Sequence, residues 1–162
     1  MAGLDAAAIL AVYDSLKSHA QSLKLFQAVT EHEPLNPPAG GLSCAILLGP
    51  LTPLSGGSGL AATSGRLEFH VRIYAHRSQY PSARIERDVL GAACTLMGAY
   101  SADFELLIGN IASGLVRDID LLGRYGAPLS MTPGWLAADG APFRIADITL
   151  PLILNDIFGQ VA

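Results

Sequence analysis

An α+β fold in one domain, with a mostly antiparallel sheet, is predicted by three observations. Two segments carry apolar residues at three- and four-residue steps, as amphipathic helices do. One nine-residue segment alternates strictly between apolar and polar, and an Asp-Gly pair stands between two apolar runs near the C-terminus. Helices that interrupt a series of strands at only two places indicate α+β, not a doubly wound α/β fold. The 162 residues suffice for one core, and neither an internal repeat nor a linker divides residues 1–162.

The first helix is read from Ile9, Val12, Tyr13, Leu16, Ala20 and Leu23, with Asp5 as its N-cap. Alternation over residues 25–31 predicts a strand that ends before Pro34, Pro37 and Pro38. Residues 34–65 contain no charged side chain. A short strand over 43–48 is expected there, then a long uncharged loop at about 49–65, rich in Gly and Pro, which is either disordered or docked on a partner.

The clearest strand follows: Leu67, Phe69, Val71 and Ile73 share one face, and Arg66, Glu68, His70 and Arg72 the other. After Pro81 and Ser82 comes the second helix, with an apolar stripe of Ile85, Val89, Ala92, Ala93, Leu96, Met97 and Tyr100. Gly91, Thr95 and Gly98 fall on its opposite side, near Arg84, Arg87 and Asp88. Interior helix glycines cost about 1 kcal/mol each relative to alanine. Either another chain approaches this small-residue face closely or the cost is tolerated in solvent. Three further strands are read over 115–122, 129–138 and 143–154, the last two forming a hairpin about Asp139-Gly140. Pro142 argues for an edge position at that turn.

Composition narrows the function classes. Hydrophobic residues make up 51% of the chain and charged ones 15%, against a usual charged share of about a quarter, so part of the surface is expected to be covered by a partner. A net charge of -4 gives no general attraction to nucleic acid or anionic membranes. The apolar start, residues 6–16, has no basic flank and contains Asp14, so it does not read as a signal peptide, and no segment reaches the roughly 20 apolar residues of a membrane span. A cytoplasm-like compartment is expected, with Cys44 and Cys94 as reduced, buried small hydrophobes.

Motifs for chemistry are weak. Gly57-Ser58-Gly59-Leu60-Ala61-Ala62 matches the glycine pattern of dinucleotide-binding turns but lacks the preceding strand, the following helix and the later acidic residue. Leu60 stands where a nucleophile elbow around Ser58 requires glycine. His19, His32, His70 and His76 are scattered and define no catalytic arrangement; His70 and His76 have no third ligand at metal spacing and read as solvated strand residues. No catalytic residue, cofactor or metal is expected. Arg66, Arg72, Arg77, Arg84 and Arg87 instead form a basic span, and Asp118, Asp120, Asp139, Asp147 and Asp156 an acidic counterpart, the kind of asymmetry that orients neighbouring subunits.

Several segments together resemble the tail terminator proteins of long-tailed phages of actinobacteria. They are Ala2-Gly3-Leu4-Asp5, Phe69-His70-Val71-Arg72-Ile73-Tyr74, Arg117-Asp118-Ile119-Asp120-Leu121-Leu122-Gly123, Phe143-Arg144-Ile145 and Ile148-Thr149-Leu150-Pro151-Leu152-Ile153. The likeness spans nearly the whole chain and lies in the order and spacing of the segments. It implies helices packed on one face of a curved sheet, and a hexameric ring on the head-proximal end of the tail tube. The implied partners are further copies of the chain, the tail tube protein and a head-tail connector or stopper protein. DNA would be met only in passage through the lumen, and no membrane is involved.

The implied place is the neck of the virion tail, after assembly in the bacterial host cytoplasm. Another neck or connector subunit and a tail tube subunit are the alternatives, with a small-molecule-binding domain or enzyme as a third. Heterologous ring contacts need two complementary surfaces on one subunit. The candidate contacts are Leu51, Leu54 and Leu60 on the loop; Arg66, Glu68, His70 and Arg72 on the strand; Arg84, Arg87, Gly91, Thr95 and Gly98 on the helix; and Asp118 and Asp120.

Overall fold

A computed structural model describes residue 4 and residues 6–33, 40–54, 62–102, 116–138 and 141–159. Two helices lie on one face of a mixed, mostly antiparallel sheet of six strands, an α+β architecture. The order is α1 (Ala6–Ser22), β1 (Ala28–Thr30), β2 (Leu42–Pro53), β3 (Ala62–His76), α2 (Ile85–Ala102), β4 (Val116–Ile119), β5 (Ser130–Ala138) and β6 (Ala141–Gly159).

The alternation of β3 decides which face is core. Leu67, Phe69, Val71, Ile73 and Ala75 are all buried against Val12, Tyr13 and Leu16 of α1 and Val89, Ala93, Leu96 and Tyr100 of α2. Tyr100 also donates its hydroxyl to the Leu16 carbonyl at 2.8 Å, which ties the two helices together. Both helices bury the stripes their spacing predicts, with Met97 at the margin. His19 joins the buried side of α1, its ring 5.5 Å from that of Tyr100.

Across the sheet the strands run β1-β2-β3-β6-β4, with β5 also paired to β6. Only the β1–β2 pair is parallel. The β5–β6 register runs to Ala138↔Ala141; Asp139 and Gly140, where the turn is expected, lie outside the described residues. β4 and β5 occupy one lane: β4 lies against residues 152–154 of β6 and β5 against 141–149, both antiparallel to it. Residues 120–129 therefore leave and rejoin a single line of pairing, and the Leu129 N–H donates to the Leu121 carbonyl at 3.2 Å where the excursion closes. Pro151 of β6 faces this gap. Its carbonyl accepts the Asp120 N–H at 3.0 Å, and in an antiparallel ladder its missing N–H would point the same way, where neither β4 nor β5 offers an acceptor partner.

Three expectations need correction. The two ends of the loop expected at about 49–65 are strand, β2 continuing to Pro53 and β3 starting at Ala62, with a bulge between Leu48 and Leu51 that absorbs Gly49 and Pro50; residues 55–61 lie outside the described residues. Proline is tolerated inside a bulge, and β1 covers the outer edge of β2 only at Ser43–Ala45, so Pro50 interrupts no ladder there. Gly49 is needed because a Cβ would lie 2.9 Å from the Glu68 carbonyl. Pro142 is not on an edge strand. β6 is flanked on both sides, and Pro142 stands just before its last pair with β3, His76↔Phe143, where its carbonyl accepts the Arg77 N–H at 3.1 Å.

Third, Cys94 is exposed on the outer side of α2, whereas Cys44 is buried as expected, its thiol pushed up to about 12 by burial. The two are not bonded to each other. Strand β1 is three residues long, shorter than the alternation over 25–31 suggests. The N-cap Asp5, the Gly57-Ser58-Gly59 motif and Leu60 lie outside the described residues.

Candidate functional site: interaction surfaces

The side of the sheet away from the helices is where the polar half of β3 lies. At one end Ala45, Tyr74 and Phe143 form a second, small buried cluster supported by Leu47, Leu136 and Ile145. Next to it Arg72 donates to Asp147 at 3.1 Å and also pairs with Glu33, which accepts the Tyr74 hydroxyl at 3.3 Å. His70 Nδ1 stands 3.5 Å from Asp147 Oδ1. Burial pushes the Tyr74 hydroxyl up to about 12, so it stays a neutral donor.

At the other end Arg66, only 3% exposed, is clamped by the excursion between β4 and β5. Its Nε donates to Asp120 Oδ2 at 3.1 Å, its Nη1 to Glu68 at 2.8 Å and its Nη2 to the Ala127 carbonyl. Asp120, 7% exposed, also accepts the Arg124 and Tyr125 N–H groups at 2.7 and 3.0 Å. Burial alone would raise the Asp120 carboxyl. The donors of Tyr125, Arg124 and Arg66 outweigh it and hold the carboxyl below its ordinary 3.8.

Gly126 lies flat on the guanidinium, with room for no side chain: a Cβ there would be 2.6 Å from Arg66 Nη1. Gly126→Ala is therefore expected to lower stability by about 1–3 kcal/mol, measured by urea unfolding. Arg66 and Asp120 thus serve inside the subunit, not at its surface. What they accomplish is to fix the excursion in one shape.

That shape presents apolar groups to solvent. Leu122 is 94% exposed, Leu121 47% and Tyr125 39%. Asp118, Arg124 and Tyr125 line one small polar cleft of about 160 Å³. A second cleft of about 290 Å³ opens between α2 and the β5–β6 hairpin, lined by Val89, Leu90, Met131, Pro133 and Ala146, with Glu86, Arg87 and Arg144 at its rim. Arg144 bonds Glu86 at 2.8 Å and lies 4.8 Å over the ring of Trp135, whose other close cation is Arg77 at 5.4 Å. Trp135 and Leu90 are both about half exposed.

The other predicted contacts divide clearly. Leu51 packs partly against the core and Leu54 is buried, its N–H donating to the Ser64 carbonyl at 2.9 Å, so neither projects as a loop contact. Glu68 is half-buried on Arg66. Arg84 is exposed and pairs with Asp88 at 3.3 Å; Arg87 and Asp118 are exposed and have no ion pair or hydrogen bond among the described residues.

Gly91, Thr95 and Gly98 line the solvent side of α2, and a Cβ at either glycine would meet nothing within 4 Å. Packing inside the subunit does not call for these glycines. Gly91→Ala is expected to raise the stability of the isolated chain by about 1 kcal/mol, checked by thermal unfolding of the monomer.

The sequence reading missed Trp135, Leu90, Leu121 and Leu122. A signal was present for the last two: apolar residues followed directly by Gly123, in a turn with φ of +71°, cannot continue a strand. Trp135 was absorbed into a hairpin arm, and only the register shows it opposite Arg144.

Among the described residues, no group of three or more His, Cys, Asp or Glu side chains is placed to hold a metal ion. No helix there is long and apolar enough to cross a membrane.

No protein-family model and no curated protein matches the sequence. The chain is similar to solved structures. One, described only by an identifier, superposes with a TM-score of 0.52 at 20% identity, over 99% of this chain and 99% of that one, and shows a shared fold. Another, from the virion of a native gene transfer agent (GTA) particle, gives a TM-score of 0.42 at 18% identity, over 88% of this chain and 90% of that one. The second superposition is too loose to bear on the role of this chain.

Proposed function

We propose that this protein is a structural subunit of a phage tail, a tail terminator that assembles as a hexameric ring on the head-proximal end of the tail tube. There it ends tube growth and joins the tail to the head connector. Its work is done by surfaces, without a catalytic group. The observation that carries this reading is the ordered set of segments resembling tail terminators. Four of the five segments fall on β3, on β4 with the excursion that clamps Arg66, and on β6, at the centre of the sheet and along the edge that presents Leu121 and Leu122; the first, at residues 2–5, lies outside the described residues except for Leu4.

The supporting chemistry is that of a subunit. Large apolar side chains stand exposed at Leu90, Leu122 and Trp135 in a chain with few charges. In this role DNA meets the protein only while passing through the ring.

The test is to add the purified chain to polymerising tail tube protein and image the product by negative stain. Capped tubes whose growth stops are expected. A chain that never binds tubes contradicts the reading, and one that forms long tubes by itself makes it a tube subunit. A thermal-shift screen with nucleotides and divalent metals is expected to leave the melting temperature unchanged.

A further inference from the structure

We infer that His70 is a proton-sensitive latch on the polar face of the sheet: when its ring takes up a second proton, Nδ1–H closes on Asp147 and tightens the join between β3 and β6. The latch holds whether or not the protein caps tail tubes.

It starts from a carboxylate that is short of a donor. Asp147 Oδ2 accepts from Arg72 at 3.1 Å, whereas Asp147 Oδ1 is buried and makes no hydrogen bond. A buried polar atom without a partner carries a desolvation cost that a donor would relieve. His70 Nδ1 stands 3.5 Å from that oxygen, too far for a good bond and near enough to close with a small side-chain adjustment.

The register explains the approach. Arg72 lies opposite Asp147 and His70 opposite Thr149, so His70 reaches the carboxylate on the diagonal between two paired strands. Strand β2 flanks the ring on the other side, where a Cβ on residue 49 would be 3.0 Å from His70 Cδ2. The imidazole fits there because that residue is Gly49.

The charges around His70 favour a proton on it. On its own strand it is flanked by Glu68, already paired with Arg66 at 2.8 Å, and by Arg72. From β6 it is faced by Asp147, and from β2 by Leu47 and Gly49, which carry no charge. Arg72 alone would oppose a second cation. It is shared between Asp147 and Glu33, however, one positive charge between two negative ones, so a carboxylate charge is left for an imidazolium to balance.

A neutral ring with its proton on Nδ1 also donates to Asp147, and a charged ring adds a coulombic attraction to that bond. With the proton on Nε2 instead, the Nδ1 lone pair would face the carboxylate. His70 therefore contributes most when charged. That contribution is complete below about pH 6.5, the ordinary imidazole value, and is lost as pH rises and the ring gives up its proton.

The latch is tested by urea unfolding of the whole chain between about pH 5 and about pH 8, the range in which imidazoles change charge. The wild type is compared with His70→Asn, which keeps a neutral donor near the Nδ1 position and does not titrate. Every other titrating group is common to the two proteins and cancels in the comparison. Relative to His70→Asn, the folded-to-unfolded ratio of the wild type is expected to be about three- to tenfold larger at the acid end than at the alkaline end.

In an Asp147→Asn background that difference is expected to vanish. Parallel pH curves for the wild type and His70→Asn, or a difference that survives without Asp147, overturn the latch. Should His70→Asn fail to fold, ring-nitrogen NMR of the wild type decides at the alkaline end: a proton on Nδ1 supports the latch, and a proton on Nε2 alone overturns it.

Discussion

Replacing Asp120 by alanine is expected to lower the unfolding free energy by about 2 to 4 kcal/mol, because it removes one of the two carboxylates that hold the buried Arg66 guanidinium and leaves Glu68 as its one remaining counter-charge among the described residues. The N–H groups of Arg124 and Tyr125 lose their acceptor in the same step. The loss is expected in urea unfolding followed by circular dichroism.

Acid reproduces part of it. The folded-state carboxyl titrates below its ordinary 3.8, so its contribution is complete above that value and disappears as pH falls through the lower folded value. The stability difference between the wild-type chain and Asp120→Ala should therefore be constant near neutrality and shrink in strong acid. A difference that grew on acidification would show that the carboxyl is not held in its charged form.

Replacing Phe69 by alanine is expected to cost about 3 to 5 kcal/mol by a different mechanism, the opening of a cavity in a packed core. Phe69 is fully buried at the middle of β3, between residues that pair it with Leu48 of β2 and Leu150 of β6. Its ring meets that of Tyr13 edge-on with centroids 5.6 Å apart, and Tyr13 in turn donates its hydroxyl to the Ile46 carbonyl. The contacts therefore join α1, β2 and β3, and truncation at this one position loosens all three. Thermal unfolding is the measurement, and a drop of less than a few degrees would contradict the account of the core.

What was legible in the sequence was the part governed by period. The alternation of residues 66–74 and the stripes of α1 and α2 are local patterns with one physical reading each, and the buried residues match them. The antiparallel pairing of β5 with β6 was legible from another local signal, the Asp-Gly pair between two apolar runs.

Less legible was everything set by pairing between distant segments. Arg66 looks like a solvent-facing strand residue until Asp120 and Ala127, more than fifty positions later, are placed beside it. The segment at 49–65 reads as loop because Gly and Pro usually break strands. A bulge at Gly49 and Pro50 and an edge left open by the short β1 remove that objection for residues 49–53, and neither can be read locally. The excursion between β4 and β5 was hidden in the same way: only the shared partner β6 shows that the two are one interrupted lane. Of the predicted contact residues, Arg87 and Asp118 are exposed, whereas Leu54, Arg66 and Asp120 are buried within the subunit.

The central claim is that the chain acts by assembling, and the most direct measurement is the mass of the purified protein in solution and on tail tubes, paired with negative-stain images. A closed oligomer of defined mass, or tubes capped at one end, is the predicted result. A protein that remains monomeric at every concentration and leaves tube ends bare would contradict it.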